Sequence, residues 1–204
     1  MFATKTIVAL CLAAGVAIAA PTATTGTRTT RDTPTAPLPV DSEVVTHRVV
    51  LGFTGGQNPN GLNFEPNNVA AKAGEIVEFK FLPANHSVAE SSFAKPCEPL
   101  KDNAGTEIGI FSGFHFATSN GQLAPNVFQI EITDEKKPIW LYCPQTKGDH
   151  CQKGMSMVIN QNVDSGNTLV KYQANSALTG TSVVPATIQG GTEGPNPNPN
   201  AGFP

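Results

Sequence analysis

An all-β, Greek-key β-sandwich is predicted by three features of this sequence. Short segments alternate apolar and polar side chains with a period of two, Gly, Pro and Asn turns separate them, and no long stretch among them has helical periodicity. The first strand candidate is VVTHRVVLGF (44–53), followed by the turn signal NPNG. After KAGE comes EIVEFKF (75–81), with Val77, Phe79 and Phe81 on one face and Ile76, Glu78 and Lys80 on the other. VFQIEI (127–132) sets Phe128, Ile130 and Ile132 against Gln129 and Glu131, and PIWLYC (138–143) and MSMVIN (155–160) complete the clear candidates. About seven short strands in roughly 120 residues fit two sheets packed face to face.

The strands occupy a domain placed at 43–161. Before it, MFATKTIVALCLAAGVAIA has one early lysine, a short apolar run and a small-residue exit at Ala17-Ile18-Ala19. That pattern predicts a signal peptide over 1–19, because the apolar run is too short to span a bilayer. Residues 20–42 are rich in Thr and Pro and cannot bury a core, so they are expected to form a disordered linker. Residues 162–204 are expected to be a disordered, low-complexity tail rich in Gly, Pro and Asn, with a short helix near its start placing Leu169 and Tyr172 on one side. No apolar stretch closes the chain, so no membrane anchor is expected. Export to the extracellular space or cell wall follows as the expected localisation, with a monomer as the default state.

Composition excludes little else but does exclude one class. Of the 204 residues 39% are hydrophobic and only 14% are charged, with a formal net charge of -3 and no basic block, which argues against a nucleic-acid partner. Removal of a signal peptide takes Cys11 with it and leaves Cys97, Cys143 and Cys151. Three is an odd number for an oxidising compartment, so one thiol must be free, linked to another chain or bound to metal.

The segment YCPQTKGDHCQKGM (142–155) gathers two cysteines, a histidine and a methionine in a chain poor in all three. Two imidazoles and a thiolate with a weak axial thioether select copper, since thiolate and thioether are soft ligands and imidazole serves both oxidation states. Cys143 ends a strand candidate, His150 lies in the following turn and Met155 begins the next strand, so one loop can present three ligands to one point. His86, in PANHSV just after the FKF strand, is the candidate for the fourth. If the chain is extended through His150 and Cys151, the sulfur of Cys151 points away from the imidazole and is available to Cys97. A nine-residue staple from Cys143 to Cys151 is the competing pairing.

These residues resemble the cupredoxins, in particular fungal secreted cupredoxin-like proteins and the related plant phytocyanins. The resemblance runs from Thr46 to Asn160 through HRVVLG, LNFEPNNVAAKAGEIVEFKF, NHSVAESSFAKPCEPL, SGF and WLYCPQTKGDHCQKGM. It implies one mononuclear copper bound by His86, Cys143, His150 and Met155, and a disulfide between Cys97 and Cys151. The spacing from His150 to Met155 matches the phytocyanin pattern, whereas the stretch from Cys143 to His150 is longer than in most plant members.

Simpler roles compete at several positions. Met157 shares a strand face with Met155, and paired methionines often fill a core. Asp149 reads as part of a solvated turn, and His47 and His115 lack ligand-like neighbours. Trp140 and Tyr142 either wall the site or pack elsewhere. Asn85-His86-Ser87 is a glycosylation sequon; in the resembling family this Asn hydrogen-bonds across to the ligand loop, so it is expected to be unmodified. Four functions are compatible with the site: a blue copper electron carrier with an unidentified redox partner, a copper-binding or delivery protein with a copper-exchange partner, a Cys143 thiol enzyme with a histidine base, and a non-redox interaction or wall protein on the same scaffold. Nothing resembling an oxyanion hole accompanies Cys143, and no enzymatic activity is expected.

Overall fold

The computed structural model describes residues 43–55, 60–116, 118 and 121–199. The signal peptide and linker expected over 1–42 lie outside the described residues. Nine strands and one α-helix are present among those described: β1 (Thr46–Leu51), β2 (Phe64–Glu65), β3 (Asn68–Val69), β4 (Ile76–Phe81), β5 (Ala89–Ser91), β6 (Asn126–Glu131), β7 (Ile139–Tyr142), β8 (Ser156–Ile159), α1 (Leu169–Ser176) and β9 (Thr192–Pro195). One sheet has the order β2-β1-β4-β6-β9 and the other β3-β8-β7-β5.

The chain changes sheet at almost every connection, and only β1–β2 and β7–β8 join neighbours within one sheet. Crossing between layers makes β1 pair with β4, and β3 with β8, in parallel, while the remaining pairs are antiparallel. Between the sheets lies one core containing Val49, Leu51, Val77, Phe79, Phe81, Phe128, Ile130, Leu141 and Ile159. Alternation places these side chains inward, as the sequence predicts for β4 and β6. Glu78 and Lys80, on the other face of β4, are nevertheless buried; their charged ends lie 3.7 Å apart, and Gln129 on β6 donates to the Glu78 carboxylate at 2.8 Å. A central strand between two neighbours lets long polar side chains lie flat along the sheet and pair there.

The segment assigned to a low-complexity tail departs from expectation. The short helix exists: Thr168 caps it by accepting from the Lys171 N–H, and Leu169 and Tyr172 are its buried face. Tyr172 stacks on Trp140 with centroids 5.2 Å apart, and its hydroxyl lies 2.6 Å from that of Ser91. Further on, the Val183 N–H donates to the carbonyl of Cys97 at 2.9 Å and Tyr142 donates its hydroxyl to the Val183 carbonyl at 2.7 Å. Trp140 and Tyr142 therefore pack against the C-terminal segment. β9 then adds to the edge of β6, with Gly191 passing so close to the Phe128 ring that a Cβ there would collide with it. Composition could not reveal this because β9 is held by backbone bonds and a glycine contact, neither of which leaves a hydrophobic pattern. Among the described residues, no helix is long and apolar enough to cross a membrane.

Candidate metal centre

Two connections meet at one end of the sandwich. The β4–β5 crossing carries His86, and the β7–β8 hairpin carries Cys143, His150 and Met155. One ligand atom from each of His86, Cys143 and His150 lies within 4.8 Å of the other two. The Cys143 sulfur is 3.4 Å from His150 Nδ1, and the two imidazole centroids are 5.1 Å apart. All three residues are buried.

The loop holds its side chains through its own backbone. Met155 N–H donates to the His150 carbonyl at 2.9 Å, and Cys143 N–H donates to the Met155 carbonyl at 3.0 Å. Met155 is thus tied to both other members of the hairpin, and its side chain is fully buried in the core cluster that contains Cys143. Met157 lies deeper along β8, with Leu141 as its cross-strand partner. The Asp149 position is an exposed left-handed turn (φ 53°). His47 and His115 are outside the cluster, each bound at 2.6 Å to a carboxylate, Glu75 and Glu193 respectively.

A disulfide joins Cys97 to Cys151, leaving Cys143 as the free cysteine among the described residues. The odd thiol is therefore the one beside both imidazoles. Burial pushes the Cys143 thiol up to about 12, although the backbone N–H groups of Gln145 and Ser87 favour the thiolate. Without a cation the sulfur stays protonated. Burial, and then the neighbouring His150, lower His86 to about 4, and burial also lowers His150. Two neutral imidazoles and a thiol that ionises only for a cation form a donor set suited to a soft metal.

His86 supplies the clearest mark of a missing partner. Its Nδ1 is buried and has no hydrogen bond, whereas buried polar atoms are nearly always satisfied. Residues that support the ring were not evident in the sequence. A Cβ on Gly52 (φ +87°) would lie 2.6 Å from His86 Nε2, so only glycine leaves room for the imidazole there. Ser112, in the SGF motif, bonds the Ser87 hydroxyl at 3.1 Å and accepts from the Val88 N–H at 3.0 Å, fixing the chain just after His86. Gln145 Nε2 donates to the Asn85 carbonyl at 3.2 Å and joins the two ligand-bearing loops.

Two predictions arise from this geometry. In the metal-free protein, His86 binds a proton near pH 4 when folded but near its ordinary 6.5 when unfolded. The unfolded chain then holds the extra proton as pH falls through that window, so stability is full above about 6.5 and is lost toward pH 4, by up to about 3 kcal/mol. Denaturant midpoints across this range should show the slope, and it should flatten in His86→Gln. Gly52→Ala should cost about 1–2 kcal/mol in backbone strain alone and also displace His86. Copper titration of a folded Gly52→Ala protein checks the second effect, and unchanged affinity would show that the ring position is immaterial.

No family model matches the chain. The probable GPI-anchored cupredoxin-1 of Arthroderma benhamiae is 35% identical over 144 residues, covering 71% of this chain and 68% of that protein. An extracellular serine-rich protein of the same fungus is 35% identical over 134 residues, covering 66% of this chain; the chain spans about half of that relative, 48% of its length. Native pseudoazurin from Hyphomicrobium denitrificans, a solved structure, aligns with 66% of this chain and 98% of its own at 19% identity and a TM-score of 0.35. With its two-sheet sandwich and a fungal relative of that name matched across two thirds of its length, the chain belongs to the cupredoxin family.

Proposed function

We propose that the chain binds one copper ion through His86, Cys143 and His150, with Met155 as a weak axial ligand, and carries single electrons. The buried His86 Nδ1 without a partner, facing a thiol and a second imidazole, is the observation that carries this reading. Copper would supply the one-electron couple. The protein's part is to hold the donors still: the backbone bonds within the hairpin, the Gln145 bridge and the close packing on Gly52 all oppose rearrangement. Small reorganisation between redox states is what an electron carrier requires.

A non-catalytic role fits the same residues. Cys143 is fully buried and held protonated, the reverse of what an attacking thiol needs. An extracellular or cell-surface location is supported by the relatives, one named as GPI-anchored and one as extracellular. The partner is a redox protein or small redox molecule reached outside the cell.

Titration with Cu(II), followed by visible absorption and then voltammetry, tests the proposal. An intense thiolate-to-copper band saturating at one equivalent, with a reversible one-electron couple, is expected. Tight one-equivalent binding without such a couple would refute electron transfer and favour copper binding and delivery. Failure to bind copper at all would leave a non-redox interaction scaffold.

A further inference from the structure

We infer that Asn85 carries an N-linked oligosaccharide, placed on the rim of the metal centre one residue from His86. Asn85-His86-Ser87 is an acceptor sequon, and no other asparagine in the chain is followed, across a residue other than proline, by Ser or Thr. The family resemblance implies that the Asn85 side chain is engaged across the rim and therefore unmodified. Its position argues the opposite. The bond across the rim runs from Gln145 Nε2 to the Asn85 backbone carbonyl, and the carboxamide takes no part in it. Ala84, at a φ of 104°, turns the chain so that Asn85 is exposed while His86 and Ser87 are buried. A sugar on Nδ2 thus projects to solvent and leaves the bond joining the ligand loops intact.

The timing follows from Ser87. Its hydroxyl is part of the acceptor signal, yet in the fold it is fully buried against Ser112 at 3.1 Å. Transfer must therefore precede folding, on the extended chain as it enters the secretory compartment. There Asn85 Nδ2 attacks the anomeric carbon of a polyprenyl-diphosphate-linked oligosaccharide. A C–N bond forms, the C–O bond to the diphosphate breaks, the diphosphate departs with the electron pair, and the amide gives up one proton. A glycan at this position narrows the approach of a protein-sized partner to His86 while leaving small molecules unhindered. The inference rests on the extracellular reading proposed above.

Production of the full chain in a yeast host, with collection of the medium, provides the test. Treatment with a glycan-releasing amidase in heavy-oxygen water is expected to increase gel mobility and convert Asn85 to a heavy-oxygen-labelled Asp, seen by peptide mass. Asn85→Gln, at an exposed position, should be secreted with neither change. Secreted protein with an unmodified Asn85 peptide would overturn the inference, and the copper band of the same sample would report separately on the metal reading. Retention of the chain inside the cell with an unmodified Asn85 peptide would overturn the extracellular reading and the glycan with it. Trimming should also speed reduction by a protein-sized donor several-fold but not by a small complex; equal effects on both would overturn the placement on the approach path.

Discussion

Cys143→Ala is expected to abolish the thiolate-to-copper band and to weaken copper binding more than any other single change. Loss of residues that merely orient metal ligands costs about 10–100-fold in affinity, and the loss of the thiolate itself should exceed that. The fold should tolerate the change. Cys143 is fully buried, so the missing sulfur leaves only a small cavity worth about 1 kcal/mol. Its backbone N–H still donates to Met155, and the Cys97–Cys151 bridge is untouched. Far-ultraviolet dichroism and the denaturant midpoint should therefore stay near those of the parent while the blue band is absent. A band that persists in the folded variant would assign the chromophore to another group and remove Cys143 from the site.

The separation between a legible site and a partly legible fold has a physical origin. Histidine, cysteine and methionine are scarce here, and their spacing around one strand-turn-strand unit carries information that packing does not blur. Strands β1, β4, β6, β7 and β8 were legible because four to six residues suffice to display a period of two. β2, β3 and β5 have only two or three residues each and no period to read. Composition does not display the order after residue 161 beyond the helix, because Val183 and β9 are held by the Cys97 carbonyl, the Tyr142 hydroxyl and the β6 edge. Gly52 and Gln145 are close to His86 and Asn85 only through long-range folding, and neither residue type announces such a contact. Asn85 shows the same limit: the sequence marks the sequon, but only the bend at Ala84 shows which way the amide faces.

Removing the bridge, as Cys97→Ala with Cys151→Ala, should produce the largest loss of stability. The two cysteines are 54 residues apart, and the chain-entropy relation assigns about 4 kcal/mol to closing a loop of that size. Replacing both residues avoids a stray thiol next to Cys143. The consequences should extend beyond the unfolded state, since Cys151 adjoins His150 and the Cys97 carbonyl anchors the C-terminal segment through Val183. Denaturant unfolding of the metal-free protein should show a much lower midpoint, with a slope that changes if the reduced cross-linking expands the denatured chain. If copper binds the folded form more tightly than the unfolded one, as the proposed site requires, loading should restore part of the loss by mass action. The hairpin's own backbone bonds keep Cys143, His150 and Met155 together without the bridge, and affinity should fall less than stability does. A midpoint shift worth under about 1 kcal/mol would mean that the denatured chain is already compact around this loop. If affinity instead collapses while stability holds, the bridge acts mainly to position His150, and the entropic account of its role fails.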